Sequence, residues 1–310
     1  MAIKQLQESD LPEAARICRL AFATFLKQPP ETFRLDEDYV GPRFRTDPGS
    51  AFTAHLGDRL AGSNFAIAWG SVGFFGPLTI HPEFWNRGLA KPLIATAIER
   101  LENLGVRHIG LFTFAESPKH LGLYQSFGFW PRFMTAILSA PVAVTTPEPH
   151  TLQFSTLAAS NRNTVLSDAR HLTGELYDGL DLSHEITSAS AQNRGETIFM
   201  YQGSRLSGMA VLDVGPGTPA GTAASLIRFA AIRPGPDAAH DFAQLISACH
   251  ALARNLGAER LIASVNTRCH AAYRGLLGLG FRTDRQGILM HRPNAECYHR
   301  EDAYILDNWR

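Results

Sequence analysis

Between Pro82 and Ile94 the chain reads PEFWNRGLAKPLI, and the polar centre of that stretch holds residue types suited to gripping an anion. Arg87 and Lys91 supply positive charge, while Gly88 and Ala90 stand where an apolar-rich run beginning at Leu89 signals the start of a helix. Glycine costs about 1 kcal/mol relative to alanine inside a helix, so a glycine near a first turn marks close approach to the main chain. The first amides of a helix have no internal acceptors and sit at the positive end of its macrodipole. They suit a phosphate, and a side chain at position 88 would stand in its way.

Several elements must hold this loop in place. IKQL reads as an opening strand, and LPEAARICRLAFATFL as an amphipathic helix with Asp10 as N-cap and Pro12 in its first turn. A proline-bounded mixed stretch follows, then two strands joined by a turn at Gly57 and Asp58. VGFFGPLTI is a strand interrupted by Gly76 and Pro77, a pattern that predicts a bulge or a splayed strand. After the loop the spacing predicts a helix over Leu89 to Leu104, stopped by Gly105. HIGLFTF reads as a buried strand, PKHLGLYQSFGF as a short helix and FMTAILSA as a final strand. The order is that of a mixed α/β sandwich.

The chain then repeats itself. GDRLAG at Gly57 matches GSRLSG at Gly203, an offset of 146 residues. Pro82 pairs with Pro234, NLG at Asn103 with NLG at Asn255, and Gly128-Phe129 with Gly280-Phe281, all at an offset of 152. The glycine- and proline-rich segment GPGTPAGTAAS of the second copy absorbs the difference. We read a tandem duplication, with domains at 1–142 and 151–310 and a linker at 143–150.

Composition narrows the partners. Lys plus Arg and Asp plus Glu are equal at 29 each, so no global field draws the chain to nucleic acid or to a membrane surface. Cys18, Cys249, Cys269 and Cys297 are scattered without the close pairs of zinc or dithiol sites, and no metal is expected. The N-terminus turns polar at once and no run approaches the roughly 20 apolar residues of a spanning helix, which points to a cytoplasmic protein.

A strand ending in proline, a basic glycine loop opening a helix, a further strand and a helix ending in LYQSFGF together resemble the Gcn5-related N-acetyltransferase (GNAT) superfamily in both halves. The family's Q/R-x-x-G-x-G/A loop falls on Trp85, Asn86, Arg87, Gly88, Leu89 and Ala90, with Trp85 replacing the usual Gln or Arg. The resemblance implies two tandem domains, each a mixed, mostly antiparallel twisted sheet flanked by helices. It further implies that the loop and Lys91 hold the pyrophosphate of acetyl-CoA, and that the backbone of Leu78, Thr79 and Ile80 bonds the pantetheine arm. By the same resemblance Ser117 stands where the family often places Asn, and Tyr124 is the phenol that assists the departing thiolate. The family's usual Glu base is missing, for VGFFGPLTI holds no acid and GLFTF offers only Phe112 and Phe114. His81 and Glu116 are neighbours in sequence, and the base stays unassigned. The acidic stretch at Asp36 to Asp38 is a further candidate for the acceptor side, alongside its reading as a solvated charge run.

At the offset of 152, Gly88, Leu89 and Ala90 become His240, Asp241 and Phe242, and Tyr124 becomes Leu276. An acid where a diphosphate should lie is electrostatically wrong, and Phe242 fills the space of a small residue. The second copy is therefore expected to keep the fold without the cofactor, packing as a pseudo-dimer partner that walls the acceptor pocket or lends its terminal segment YHREDAYILDNWR. The expected activity is acetyl transfer to a primary amine of a small molecule or peptide, by a monomer with pseudo-dimeric halves or a homodimer. The rivals are a non-catalytic acyl-CoA sensor and a nucleotide-binding module, the latter lacking both GxGxxG and a Walker lysine.

Overall fold

The computed structural model describes residues 1–145 and 150–310. Its first half runs β1 (Ala2–Gln5), α1 (Leu11–Phe25), α2 (Gly41–Thr46), β2 (Ala51–Leu56), β3 (Arg59–Trp69), β4 (Val72–Phe75), β5 (Thr79–Ile80), α3 (Ala90–Asn103), β6 (His108–Thr113), α4 (Pro118–Gln125) and β7 (Trp130–Pro141). Its second half runs β8 (Thr151–Gln153), α5 (Ala159–Leu176), α6 (Ser183–Ala191), β9 (Gly195–Gln202), β10 (Arg205–Gly215), β11 (Gly221–Ile232), α7 (Ala238–Asn255), β12 (Arg260–Asn266), α8 (His270–Gly278), β13 (Arg282–Arg292) and β14 (Ile305–Asp307). Each half is a largely antiparallel sheet flanked by helices. The repeat holds element by element, since β6, α4 and β7 begin 152 residues before β12, α8 and β13.

The helices follow from apolar spacing. α1 buries Ala14, Ile17, Cys18 and Ala21 along one stripe, and α3 buries Leu93, Ile94, Ala97, Ile98 and Leu101. Asp10 precedes α1, but its carboxylate accepts the amide of Gln7 at 2.9 Å instead of capping the helix.

Among the described residues, all strands belong to one sheet of fourteen, ordered β1-β2-β3-β4-β6-β13-β7-β12-β11-β10-β9-β8, with β5 against β3 and β14 against β11. The two halves exchange their last long strands. β13 pairs antiparallel with β6 through Ile288 to Arg292, and β7 pairs antiparallel with β12 from Thr135 to Pro141. Alternation of apolar side chains identifies β7 as a strand but does not choose its neighbour, so this exchange was not legible in the sequence. Positions 146–149 of the expected linker lie outside the described residues. Nearby, Ala143 donates to His250 Nδ1 at 3.2 Å and Thr145 Oγ1 to the Ser247 carbonyl at 3.1 Å, so this stretch lies along α7.

Aromatic and charged groups lock the halves. Trp309 from the C-terminal tail stacks on Phe74 with centroids 5.5 Å apart and lies over Gly110, where a Cβ would meet its ring at 1.9 Å. Only glycine permits that approach. Glu185 accepts the Trp69 indole N–H at 3.0 Å and pairs with Arg194, which also binds Asp213. Burial alone would raise the Glu185 carboxyl, but Arg194 and Arg228 overcome it and hold the group down at about 2. Breaking such a pair would leave an unpaired buried charge. Among the described residues no helix is long and apolar enough to cross a membrane, and no cluster of three His, Cys, Asp or Glu side chains could hold a metal.

Candidate functional site

The glycine loop lies between a 3-10 turn at Pro82–Phe84 and α3. Asn86 and Gly88 both take positive φ, 64° and 77°, so the chain turns sharply before α3. Among the described residues, the amides of Asn86, Arg87, Gly88 and Leu89 donate to no carbonyl and to no side chain. A Cβ added at Gly88 would meet nothing within 4 Å. The glycine is thus favoured by backbone conformation and leaves open space beside it, and it precedes the helix, which starts at Ala90. Trp85, the departure from the family pattern, donates its indole N–H to the Ile80 carbonyl at 2.7 Å and so pins the loop to β5.

β4 runs parallel to β6 through Val72, Gly73 and Phe74 and then leaves it to join β3 as β5. Leu78, between the two pieces, makes no main-chain hydrogen bond among the described residues. A groove of about 360 Å³ follows this divergence. Of the residues singled out from the sequence, it brings together Leu78, Thr79, Ile80 and Ser117, the loop residues Asn86, Gly88, Leu89, Ala90 and Lys91, and Tyr124. Arg87 does not line it, since its guanidinium lies over the Phe84 ring at 5.3 Å. Ile80 offers one main-chain acceptor fewer than expected, its carbonyl being used by Trp85.

A second cavity of about 530 Å³ adjoins the groove. The two share Phe22, Leu78, Phe114, His120 and Tyr124. Tyr124 is buried and its hydroxyl finds no partner among the described residues; burial raises its pKa, so the phenol keeps its proton at neutral pH. His120, one helical turn earlier on α4, packs against Phe25 at 5.1 Å. Its Nδ1 is sealed from solvent without a partner, which leaves Nε2 as the nitrogen facing open space. Burial, helped by the charge of Lys119, lowers its pKa, so the imidazole is neutral at pH 7.

His120 was missed in the sequence. The signal was its i, i+4 spacing to Tyr124, which puts both on one helix face. The neighbours considered instead are elsewhere: His81 Nδ1 accepts the Glu83 amide at 3.3 Å, and neither it nor Glu116 lines either cavity.

The wall of the larger cavity is shared between the halves. Residues 34–40 form one side, and Pro216, Gly217, Arg285, Gln286, Trp309 and Arg310 contribute from the second half. The acidic stretch therefore lines the cavity, with Asp36 still exposed and Glu37 and Asp38 half-buried. Its carboxylates are engaged: Asp36 accepts the Thr222 amide, Glu37 accepts Tyr39 Oη at 2.9 Å, and Asp38 accepts the amides of Val40 and Gly41 at 2.8 and 2.9 Å.

The corresponding place in the second half is closed twice. α7 begins at Ala238, one turn earlier than its counterpart, so the stretch equivalent to the unpaired amides is helical. Asp241 accepts Gln202 Nε2 at 2.7 Å, and Phe242 packs on Tyr304 at 5.0 Å. Where β11 leaves β12, β14 pairs with Phe229, Ala230 and Ala231, the positions equivalent to Pro77, Leu78 and Thr79. The chain's own tail stands in the cleft.

The acetyltransferase (GNAT) family matches this sequence over residues 14–129, from α1 to the end of α4. No curated protein matches it. Solved structures similar to the whole chain include a protein of Pyrococcus horikoshii described as a candidate acetyltransferase, with 14% identity, TM-score 0.69, and coverage of 99% of this chain and 94% of that one. A GCN5-related N-acetyltransferase from Sphaerobacter thermophilus has 12% identity and TM-score 0.58 over 94% of this chain and 95% of its own. A tandem GNAT protein from the clavulanic acid biosynthesis pathway has 11% identity and TM-score 0.56 over 94% and 97%. At these identities the likeness is one of fold.

Proposed function

We propose that this chain, a tandem protein of the GNAT fold whose first half carries the family's domain, transfers an acetyl group from acetyl-CoA to a primary amine of a small molecule or peptide by direct attack in a ternary complex. The observation that carries this reading is the meeting of a groove built for an anion with a second cavity at two uncommitted polar groups, Tyr124 Oη and His120 Nε2.

The groove fits the coenzyme by its own chemistry. Four unpaired amides at Asn86–Leu89 and open space at Gly88 would hold a diphosphate, with Lys91 adding charge at the rim. Leu78 offers an unpaired main-chain amide and carbonyl to an extended amide-bearing arm, and Ser117 lines the same channel. When bound, acetyl-CoA supplies an activated thioester. His120 Nε2 takes a proton from the incoming ammonium or amine, and a neutral imidazole at pH 7 is in the state that can do so. Tyr124, holding its proton, donates a hydrogen bond to the sulfur as negative charge gathers there. The apolar rings of Phe22 and Phe114 exclude water from the junction. The second half acts as wall and not as a second catalyst.

The test is to follow free thiol while the protein turns over acetyl-CoA with pooled primary amines. Amine-dependent release is expected, with Tyr124→Phe lowering kcat by about tenfold while the KM for acetyl-CoA holds. Binding of acetyl-CoA with no amine-dependent release, unaltered by Tyr124→Phe, would overturn transfer in favour of a sensor.

A further inference from the structure

We infer that the amine acceptor carries an anionic oxygen group, a carboxylate or a phosphate, read by Arg19, Arg285 and Arg310 in the larger cavity; this rests on the acyl-transfer reading and names its substrate class. Three carboxylates line the cavity and all three are taken, Asp36 and Asp38 by backbone amides and Glu37 by Tyr39 and Arg34. Each is engaged through a single oxygen and keeps its charge, so the balance is set by the four arginines of the lining, Arg19, Arg34, Arg285 and Arg310, against these three acids.

The guanidinium groups are in the opposite position. Among the described residues, the guanidinium groups of half-buried Arg19 and exposed Arg285 make no hydrogen bond and no ion pair. Arg310 bonds only the neutral amide oxygen of Asn308, its Nε at 3.1 Å. Burial lowers the pKa of Arg310; Tyr39 and Glu37 oppose that shift, and Arg34 and Arg228 add to it. Beyond the wall, Arg43 is buried and donates to the Gly76 carbonyl, while its Nε and Nη2 have no partner. With four arginines against three acids the lining is net positive, and only one of those arginines, Arg34, is paired with an acid. Guanidinium groups match carboxylate and phosphate oxygens in paired hydrogen bonds, which fixes orientation as well as charge.

The placement suits a bifunctional acceptor. Tyr124 and His120 sit at the mouth shared with the groove, and the arginines come from three directions: Arg19 on α1, Arg285 on β13 and Arg310 on the tail. An amine at the mouth leaves the anionic end to the arginine wall. A cavity of about 530 Å³ is of the size that encloses a small metabolite. Two of the three arginines belong to the second half, which thereby takes part in choosing the acceptor.

The experiment compares matched acceptors with acetyl-CoA: the common amino acids against their carboxamides, and glucosamine phosphate against glucosamine. The anionic member of at least one family is expected to have a kcat/KM at least about tenfold higher, and the family in which this occurs separates carboxylate from phosphate. Arg19→Gln and Arg285→Gln should each raise the KM for that acceptor by about tenfold, with the KM for acetyl-CoA and the melting temperature unchanged. Preference for the neutral members, or a preference untouched by both substitutions, would overturn the inference while leaving acetyl transfer standing. If no acceptor turns over, calorimetric titration of the same pairs into protein holding coenzyme A decides. Heat from an anionic member, lost in Arg19→Gln, supports the arginine site; no heat from any anionic member overturns it.

Discussion

The two halves differ most where their central strands part. Past Phe74 the first half opens a groove and leaves Leu78 without a main-chain partner. Past Leu226 the second half fills the equivalent opening with β14 and extends α7 by a turn over the loop. A splayed pair of strands exposes backbone groups that must be satisfied by something. One half satisfies them from its own tail, and the other leaves Leu78 unpaired. The lesson is that a duplicated fold can retire one cleft by pairing it internally and reuse the same tail, through Trp309 and Arg310, to close the neighbour's cavity.

The sharpest way to break this comparison is Gly88→Glu. The residue would have to adopt φ near 77° and would place a negative charge in open space beside the unpaired amides. Acetyl-CoA affinity measured by calorimetry should fall by more than about a hundredfold. Its mirror, Asp241→Gly, should leave affinity and stoichiometry as they are. Equal loss from both would dissolve the asymmetry.

Next in size is His120→Gln, expected to lower kcat/KM by about a hundredfold if the imidazole takes the amine's proton. The sign of the pH effect follows from burial. His120 is neutral until pH falls below the ordinary imidazole range, so wild-type turnover should stay level through neutrality and decline only in acid as the ring protonates. A rate that keeps its acid limb in His120→Gln would assign that limb to another group.

A smaller effect sharpens the account of the closed half. Phe242 is fully buried against Tyr304 and Gly275. Phe242→Ala should cost about 3 kcal/mol in urea unfolding through the cavity it leaves. It should create no second coenzyme site, because β14 still occupies the cleft. A gain of binding would mean that Phe242 alone closes it.

Much of this was legible in the chain. The loop residues, the interrupted strand at Gly76 and Pro77, and the offset of 152 gave the groove and its missing twin, because each rests on local chemistry: unpaired amides, a broken strand pattern, an acid in place of a glycine. The tail could be read as a strand from Ile305 and Leu306, but not that it would seat against Ala230. Strand exchange between β7 and β13 was equally hidden, since apolar alternation is satisfied by any partner of the right face. His120 escaped notice because its one signal, the i, i+4 spacing to Tyr124, gains meaning only from burial and the cavity mouth. The acids at 36–38 were read as charge, whereas Asp36 and Asp38 bond amides and Glu37 bonds Tyr39 and Arg34.

The most direct measurement is a crystal structure of the protein grown with acetyl-CoA. The account predicts a single coenzyme per chain, its diphosphate against the amides of Asn86 to Leu89 and its sulfur within reach of Tyr124 Oη. Coenzyme seated beside α7 with β14 displaced, or a first groove left empty at saturating ligand, would contradict it.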